Sequence, residues 1–511
     1  MGDLIIAYDL GTGGIKASLY DAEGHRLAET FTPYDTLYPA LGWHEQRPMD
    51  WWNAVVDSTN RLMATPDVDR DRVECLAISG HSLGAVPIAK DGSLLRSATP
   101  IWSDTRANRQ AAQFFEKVDE CSWYMVTGNG FPPACYTVFK MMWYRDNEPE
   151  MFRRIHKIIG TKDFINLRMT GRICTDYSYA SGSGVYDLRR WGYSDCLIDA
   201  SGLPPTIFPE IVPSTEIIGT LTRDAAEALG LPRKVKVVCG GVDNACMAAG
   251  AGSVSPGKVY TSLGSSAWIA VISEDPVLDG DSRPYVFTHV VPGMFTSALA
   301  IFSAGSSYQW VRDNICPDLV AAAQKQGVDA YKLMDDLAAD VPIGSRRLLF
   351  DPSLAGGSSL DASPAIRGAY LGIDLGHTQA DLIRAAMEGV AMNLRLVLDE
   401  LRRLCSVQDA MVVVGGGSKS RLWRQILSDV LNMRILRTSV GQDAGSLGAA
   451  AVAAVGCGMW KDFSVINGVH SIQDASEPVP EHVSRYEALL PVFKYAKDCQ
   501  SSIADLLSQL D

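Results

Sequence analysis

The chain of 511 residues predicts an α/β fold in two related domains. Three observations carry that prediction. A strand, a glycine turn and a second strand open the sequence, and the same device returns near residue 258. Strand-like and helix-like patterns alternate along the whole length, and that length exceeds what one compact core organises.

The elements follow in order. Leu4-Ile5-Ile6-Ala7-Tyr8 is a short apolar run, Gly11 to Gly14 breaks it, and Ile15 to Tyr20 resumes as a strand. Asp21 to Gly24 turns again, and Arg26 to Thr32 reads as a third strand of a meander. Helical patterns follow over 50–64 and 104–119, and the buried strand Val73 to Ile78 runs into Ser79-Gly80-His81. Near the middle, Val235 to Cys239 is a strand, Gly240 to Asp243 turns sharply, and Asn244 to Gly250 reads as a short helix of small residues. Lys258 to Ser262, the turn Leu263 to Ser266 and the strand Ala267 to Ile272 then repeat the opening device, with Leu263-Gly264-Ser265 standing where Leu10-Gly11-Thr12 stood. Helical patterns over 379–405, 420–432 and 443–457 surround the strand Ala410 to Val414. We place the boundary between domains 1–250 and 251–511, with a ligand cleft between the halves.

Composition excludes several functions. A net charge of −13 disfavours nucleic acid and anionic membrane as partners. No apolar run is long enough to span a bilayer, and the early Asp3 with no basic flank argues against a signal peptide. Eleven cysteines without a CxxC pair read as reduced thiols of a cytoplasmic protein, and the eight histidines lack zinc spacing.

The residues that bear chemistry cluster at the turns. In Asp9-Leu10-Gly11-Thr12-Gly13-Gly14-Ile15-Lys16, glycines let several N–H groups converge on an anion, Thr12 adds a hydroxyl and Lys16 a charge. Asp9, ending a buried strand, suits a hydrated Mg2+; the local residues equally allow a plain hairpin. Gly252 to Val259 imitates a phosphate loop, but Val259 cannot ligate magnesium and a strand follows where a helix is required. Gly415-Gly416-Gly417-Ser418 allows close approach of adenine or ribose, or is a simple strand-to-helix loop capped by Ser418. Asp243 is placed either to accept a proton or to cap the helix after it. Trp102-Ser103-Asp104-Thr105-Arg106 brings a stacking face, a carboxylate and a guanidinium together, as sugars require, although a DxR pair is more often a surface ion pair. Trp43 to Pro48 with Trp51 and Trp52 reads as a packed loop and helix start.

Taken in this order, the pieces resemble the FGGY carbohydrate kinase family, whose fold is two actin-like, ribonuclease-H-like ATPase domains. Thr137 to Trp143, with Lys140 and Trp143 in register, is similar to the family's first signature, and Gly368 to Ile373 through Asp381 to Glu388 to its second. The resemblance implies ATP and Mg2+ as cofactors and a small sugar as substrate, and it admits a homodimer. It implies that Gly11, Thr12, Gly13, Gly14 and Lys16 form one phosphate segment, that Gly264, Ser265 and Ser266 form the second, and that Gly415, Gly416 and Gly417 receive the adenosine. It implies Asp243 as the catalytic base, Asp9 and Asp243 toward the metal, and Gln442 to Ala449 as a small-residue helix near the nucleotide. Ser82, Leu83, Trp102, Asp104, Arg106 and Asn244 are implied on the sugar side. Within the family the Gly241 to Ala245, Trp102 to Arg106 and Gly42 to Pro48 runs look most like those of xylulokinases, so a ketopentose such as D-xylulose is expected. One position departs: His81-Ser82-Leu83-Gly84 stands where those relatives carry Gln-Met-His-Gly, so Leu83 replaces a sugar-contacting His. Ribulose, erythritol or glycerol therefore stay open as substrates, as does a non-catalytic regulator on the same fold.

Overall fold

The computed structural model describes residues 3–66, 68–130 and 132–510; Met1, Gly2 and Asp511 of the ranges above lie outside the described residues. The chain forms two compact units. The first takes residues up to Pro256, Ser273–Ser297 and Asp443–His470, and the second takes Gly257–Ile272, Ala298–Gln442 and Ser471–Asp511.

In the first unit the strands Leu4–Leu10, Gly14–Asp21 and Arg26–Pro33 form an antiparallel meander. Leu4–Leu10 is also parallel to Val73–Gly80, and beyond that lie Lys236–Val238 and Ile217–Thr220. Burial follows position. The central strand Leu4–Leu10 is buried on both faces, whereas Arg26–Pro33, at the sheet edge, alternates and exposes Leu27 and Phe31. Helix Pro48–Met63 starts with Pro at its first turn and lays Trp51, Val55 and Leu62 at helical spacing on the sheet. Helical structure expected over 104–119 is confined to Asn108–Phe115. Residues 104–106 turn instead, because Asp104 folds back on Arg106 and accepts from its backbone N–H at 3.1 Å.

The second unit repeats the topology. Val259–Leu263 pairs antiparallel with Ala267–Ser273 and parallel with Ala410–Val414, which is parallel to Arg434–Thr438. Ile472–Ser476 closes that side antiparallel. The 26-residue helix Gln379–Leu404 packs beneath, started by a reciprocal cap between Thr378 and Asp381 and burying Ile383, Met387, Val390, Leu394 and Leu401. Among the described residues no helix is long and apolar enough to cross a membrane.

Candidate active site

In the first unit, three parallel strands end side by side and deliver the acidic residues. Leu4–Leu10 carries Asp9, whose lateral neighbours by register are Lys16 and Ser79. The two-residue strand Gly241–Val242 runs parallel to Ser79 and Gly80 and delivers Asp243 to the first turn of helix Asp243–Gly250. Carboxyl ends of parallel strands are where α/β sheets bind ligands. Ser79 donates to Asp9 at 3.1 Å, and the N–H of Asn244 donates to Asp243 at 2.8 Å.

Two carboxylates at one strand edge disturb each other. Burial, with the charge of Asp9 adding to it, pushes Asp243 up to about 7, so that it exchanges a proton near neutrality. Asp9 is itself raised by burial, against the hydroxyl of Ser79 and the charge of Lys16. The capping role does not apply: Val242 occupies the N-cap position, and the N–H that Asp243 accepts from is that of Asn244, its own neighbour.

Two helices fix this pair by backbone contact. Helix Ala444–Gly456 crosses Asp243–Gly250 so closely that a Cβ on Gly250 would lie 1.7 Å from the carbonyl oxygen of Ala444, and one on Gly448 would lie 1.8 Å from that of Cys246. Its Gly445 abuts the carboxylate of Asp9, where a Cβ would fall 2.5 Å from an oxygen. Only hydrogen fits at these positions. The helix start also brings Asp443 to Lys16 at 3.1 Å and to Arg26 at 2.5 Å.

The turn Gly11–Gly14 is tethered from several sides. Gly11 donates to the carbonyl of Gly14 at 3.1 Å, and Tyr34 donates to that of Gly11. Gln46 donates to the carbonyl of Thr12 at 2.7 Å and receives the indole N–H of Trp51. Gly13 stays exposed. The indole of Trp102, 45% exposed, donates to the hydroxyl of Thr12 at 2.9 Å and so joins the expected sugar face to the expected phosphate turn.

The other residues expected on the sugar side divide. Asp104 and Arg106 have fully buried side chains joined at 2.8 Å, and Arg106 also reaches Glu45 at 2.7 Å and lies 4.0 Å from the ring centre of Trp43. The second oxygen partner of Asp104 is the N–H of His44, at 2.7 Å. This is a buried framework and not the surface pair that the DxR pattern suggests. It holds the loop that presents Trp102. Ser82, Leu83 and Asn244 are partly buried, and Leu83 stands at φ +60°, a left-handed conformation that costs a side chain about 1–2 kcal/mol. Lys140, pulled down to about 8 by burial, clamps this loop to its neighbour by donating to the carbonyls of Leu83 at 2.8 Å and Ile101 at 2.6 Å. Adjacent His81 is held neutral, burial lowering it to about 3, and meets Trp51 edge-on at 5.5 Å.

The second unit contains a cavity of about 570 Å3 lined by both of its glycine turns. Gly264 and Ser265 come from the first, and Gly416 and Gly417 from the second. Ser266 is partly buried and its carbonyl accepts from Gly264 at 3.0 Å. Gly415 stands at φ +90°, with its missing Cβ 2.7 Å from the carbonyl of Leu263, which seats the second turn on the first. The cap of the helix that follows is Ser420 and not Ser418, since Ser420 accepts from the N–H of Trp423 at 3.0 Å. The remaining wall was not legible as a motif: Gly305, Tyr308 and Gln309 from helix Gly305–Ile315, then Tyr331 and Asp335 from Ala330–Ala338. Tyr308 stacks on Tyr331 with ring centres 5.5 Å apart and lies 4.9 Å from Trp423. Among the described residues, its hydroxyl and one oxygen of Asp335 are buried without a hydrogen-bond partner, and burial raises the Asp335 carboxyl. Aromatic faces, bare glycine backbone and unsatisfied polar atoms suit a flat heterocycle bearing donors.

Known proteins match this chain along nearly its whole length. The model of the FGGY family of carbohydrate kinases, N-terminal domain, matches residues 4–250, and that of the C-terminal domain matches residues 259–457. A xylulose kinase of Bacillus subtilis is 30% identical over 505 residues, covering 98% of each chain. A gluconokinase of the same organism is 24% identical over 494 residues, covering 96% of this chain and 95% of its own. Among solved structures, xylulose kinase from Rhodospirillum rubrum superposes with a TM-score of 0.89 at 27% identity, covering 98% of this chain and all of its own. A xylulose kinase from Lactobacillus acidophilus shares the fold with the same TM-score at 23% identity, over 99% of this chain and 100% of its own.

Proposed function

Since the chain belongs to the FGGY family of carbohydrate kinases, and is therefore a sugar kinase with an alcohol group as acceptor, we propose that it phosphorylates a ketopentose, D-xylulose foremost, with ATP as donor and Asp243 as general base. One observation carries the assignment of the base: a carboxyl at the strand ends, pushed up to about 7 next to a second carboxylate. A base of that strength accepts a hydroxyl proton at neutral pH without holding it as firmly as a lysine would.

The residues fit both cofactors. The aromatic cavity of the second unit suits adenine: Tyr308 and Trp423 offer faces, and the unpaired oxygen of Asp335 offers an acceptor for an amino group. Gly264 to Ser266 and Gly415 to Gly417 supply close backbone approach there, while Gly11 to Gly14 and Lys16 do so in the first unit. Asp9 and Asp243 are the carboxylates that would hold Mg2+, which would supply neutralisation of charge on the phosphates. Trp102 stacks on the sugar, Ser82 and Asn244 offer hydrogen bonds, and Asp104 with Arg106 acts by holding the loop.

Leu83 favours a second reading on the substrate side, a different ketose or a polyol, because an aliphatic side chain at that point asks for no hydroxyl. An ADP-coupled assay across D-xylulose, D-ribulose, gluconate, erythritol and glycerol separates the two. The highest kcat/KM is expected with a ketopentose, and a polyol or gluconate leading the series overturns that choice.

A further inference from the structure

The far end of helix Ala444–Gly456 brings two thiols together. Along strand Val73–Gly80, Cys75, Ala77 and Ser79 share one face, and that face meets the helix. The sulfur of Cys75 lies 3.8 Å from the carbonyl oxygen of Ala453 and 3.9 Å from the sulfur of Met459. The Cys75 thiol also donates to the sulfur of Cys457, the residue that ends the helix. The chain around Cys457 is fixed on both sides. Its N–H donates to the carbonyl of Ala453 at 2.9 Å, and the N–H of Met459 donates to that of Ala454 at 2.8 Å. A Cβ on Gly456 would lie 2.4 Å from the carbonyl oxygen of Thr215. Cys75 is buried and Cys457 is partly exposed, so one sulfur meets solvent and the other stands behind it. The hydrogen bond from Cys75 and then the charge of Lys236 draw the Cys457 thiol toward its thiolate, against burial and the charge of Glu74, which pairs with Lys236 at 2.6 Å.

We propose that Cys457 and Cys75 form a peroxide-sensitive disulfide site that locks this helix onto the sheet. The Cys457 thiolate attacks one oxygen of hydrogen peroxide; an S–O bond forms, the O–O bond breaks, and the departing hydroxide takes a proton and leaves as water. The sulfur of Cys75 then attacks that of Cys457. The S–O bond breaks, and its hydroxide takes the Cys75 proton to leave as a second water. Two thiols are oxidised and one peroxide is reduced. The new bond ties positions separated by nearly three-quarters of the chain, so it removes much freedom from the unfolded state. It also holds down the helix whose other end abuts Asp9 through Gly445. A second close pair, Cys174 with Cys239, is buried at both residues and offers peroxide no entry.

Non-reducing peptide mapping of the full chain after treatment with hydrogen peroxide tests the site. A crosslink between Cys75 and Cys457 is expected. The thermal midpoint should rise by about 5 °C or more, and the activity that survives a heat challenge should rise severalfold. Dithiothreitol should reverse both effects, which separates a disulfide from methionine oxidation. Cys457→Ser should show no reversible rise. Cys75→Ser removes the second step and keeps the first, so Cys457 should accumulate as a sulfenic acid that dimedone captures. Absence of the crosslink overturns the proposal, as does a crosslink that leaves the thermal midpoint unmoved. So does a reversible rise that persists in Cys457→Ser, a Cys75→Ser variant whose Cys457 takes up no dimedone, or a bond between Cys174 and Cys239 in place of the expected one.

Discussion

Replacing Asp243 by Asn is expected to slow the enzyme and stabilise it at once, with a pH dependence that identifies the cause. Burial raises the Asp243 carboxyl to about 7, against an ordinary aspartate value of 3.8. The folded state therefore keeps a proton that the unfolded chain releases, and stability is lost as pH rises from about 4 through 7. Asparagine has no proton to lose. Each pH unit in that window is worth at most about 1.4 kcal/mol, which sets a ceiling near 4 kcal/mol. The side chain is only partly buried, so solvent screening brings the expected gain at pH 8 to about 1–2 kcal/mol. For a unit of this size that is a rise in Tm of roughly 3–6 °C. Thermal unfolding at constant ionic strength from pH 4 to 8.5 reads it: the two curves meet near pH 4, part steadily, and run parallel above 7.5. At pH 7.5, turnover of the variant should fall by about 10²–10⁴. A variant no more stable than wild type at pH 8, or a gap that does not close in acid, refutes the reasoning; undiminished turnover removes Asp243 as the base.

Three further outcomes follow from the same geometry. Gly448→Val should cost more than about 3 kcal/mol in urea unfolding, because its side chain must enter the backbone of the Cys246 turn. Asp335→Ala should raise the KM for ATP about tenfold or less and leave the KM for sugar unchanged, since one lost acceptor is worth about 1 kcal/mol or slightly more; equal effects on both would remove it from the nucleotide pocket. Leu83→Gly should relieve the left-handed strain and add up to about 1 kcal/mol to stability, while changing the order of preferred sugars in the coupled assay.

What the sequence shows and hides has a physical pattern. The two hairpins were legible because alternation and glycine turns are local, and Asp9 and Asp243 were legible because each ends a short apolar run. Lys16 and Asp443 meet across 427 positions, and no local signal announces a partner so distant. Asp104 and Arg106 were legible as a pair, but burial decides what a pair does, and the tryptophans that enclose it come from residues 43 and 143. Tyr308 and Asp335 lie on ordinary amphipathic helices, where an aromatic or an acid usually means core or surface. The small residues of Ala444–Gly456 announced close packing without saying against what; the answer, the carbonyls near Cys246 and the carboxylate of Asp9, is a matter of tertiary placement.

The route of the chain has a consequence for synthesis. Asp9 and Asp243 are translated early, yet the helix that confines them belongs to a segment beginning at Asp443. A ribosome that has delivered residue 300 has made both acids and neither the glycine that abuts the first nor the carboxylate that engages Lys16. The nascent polypeptide is thus expected to be without kinase turnover until its final portion emerges, and a fragment ending at Pro256 should recover order when a separate peptide spanning 443–470 is supplied.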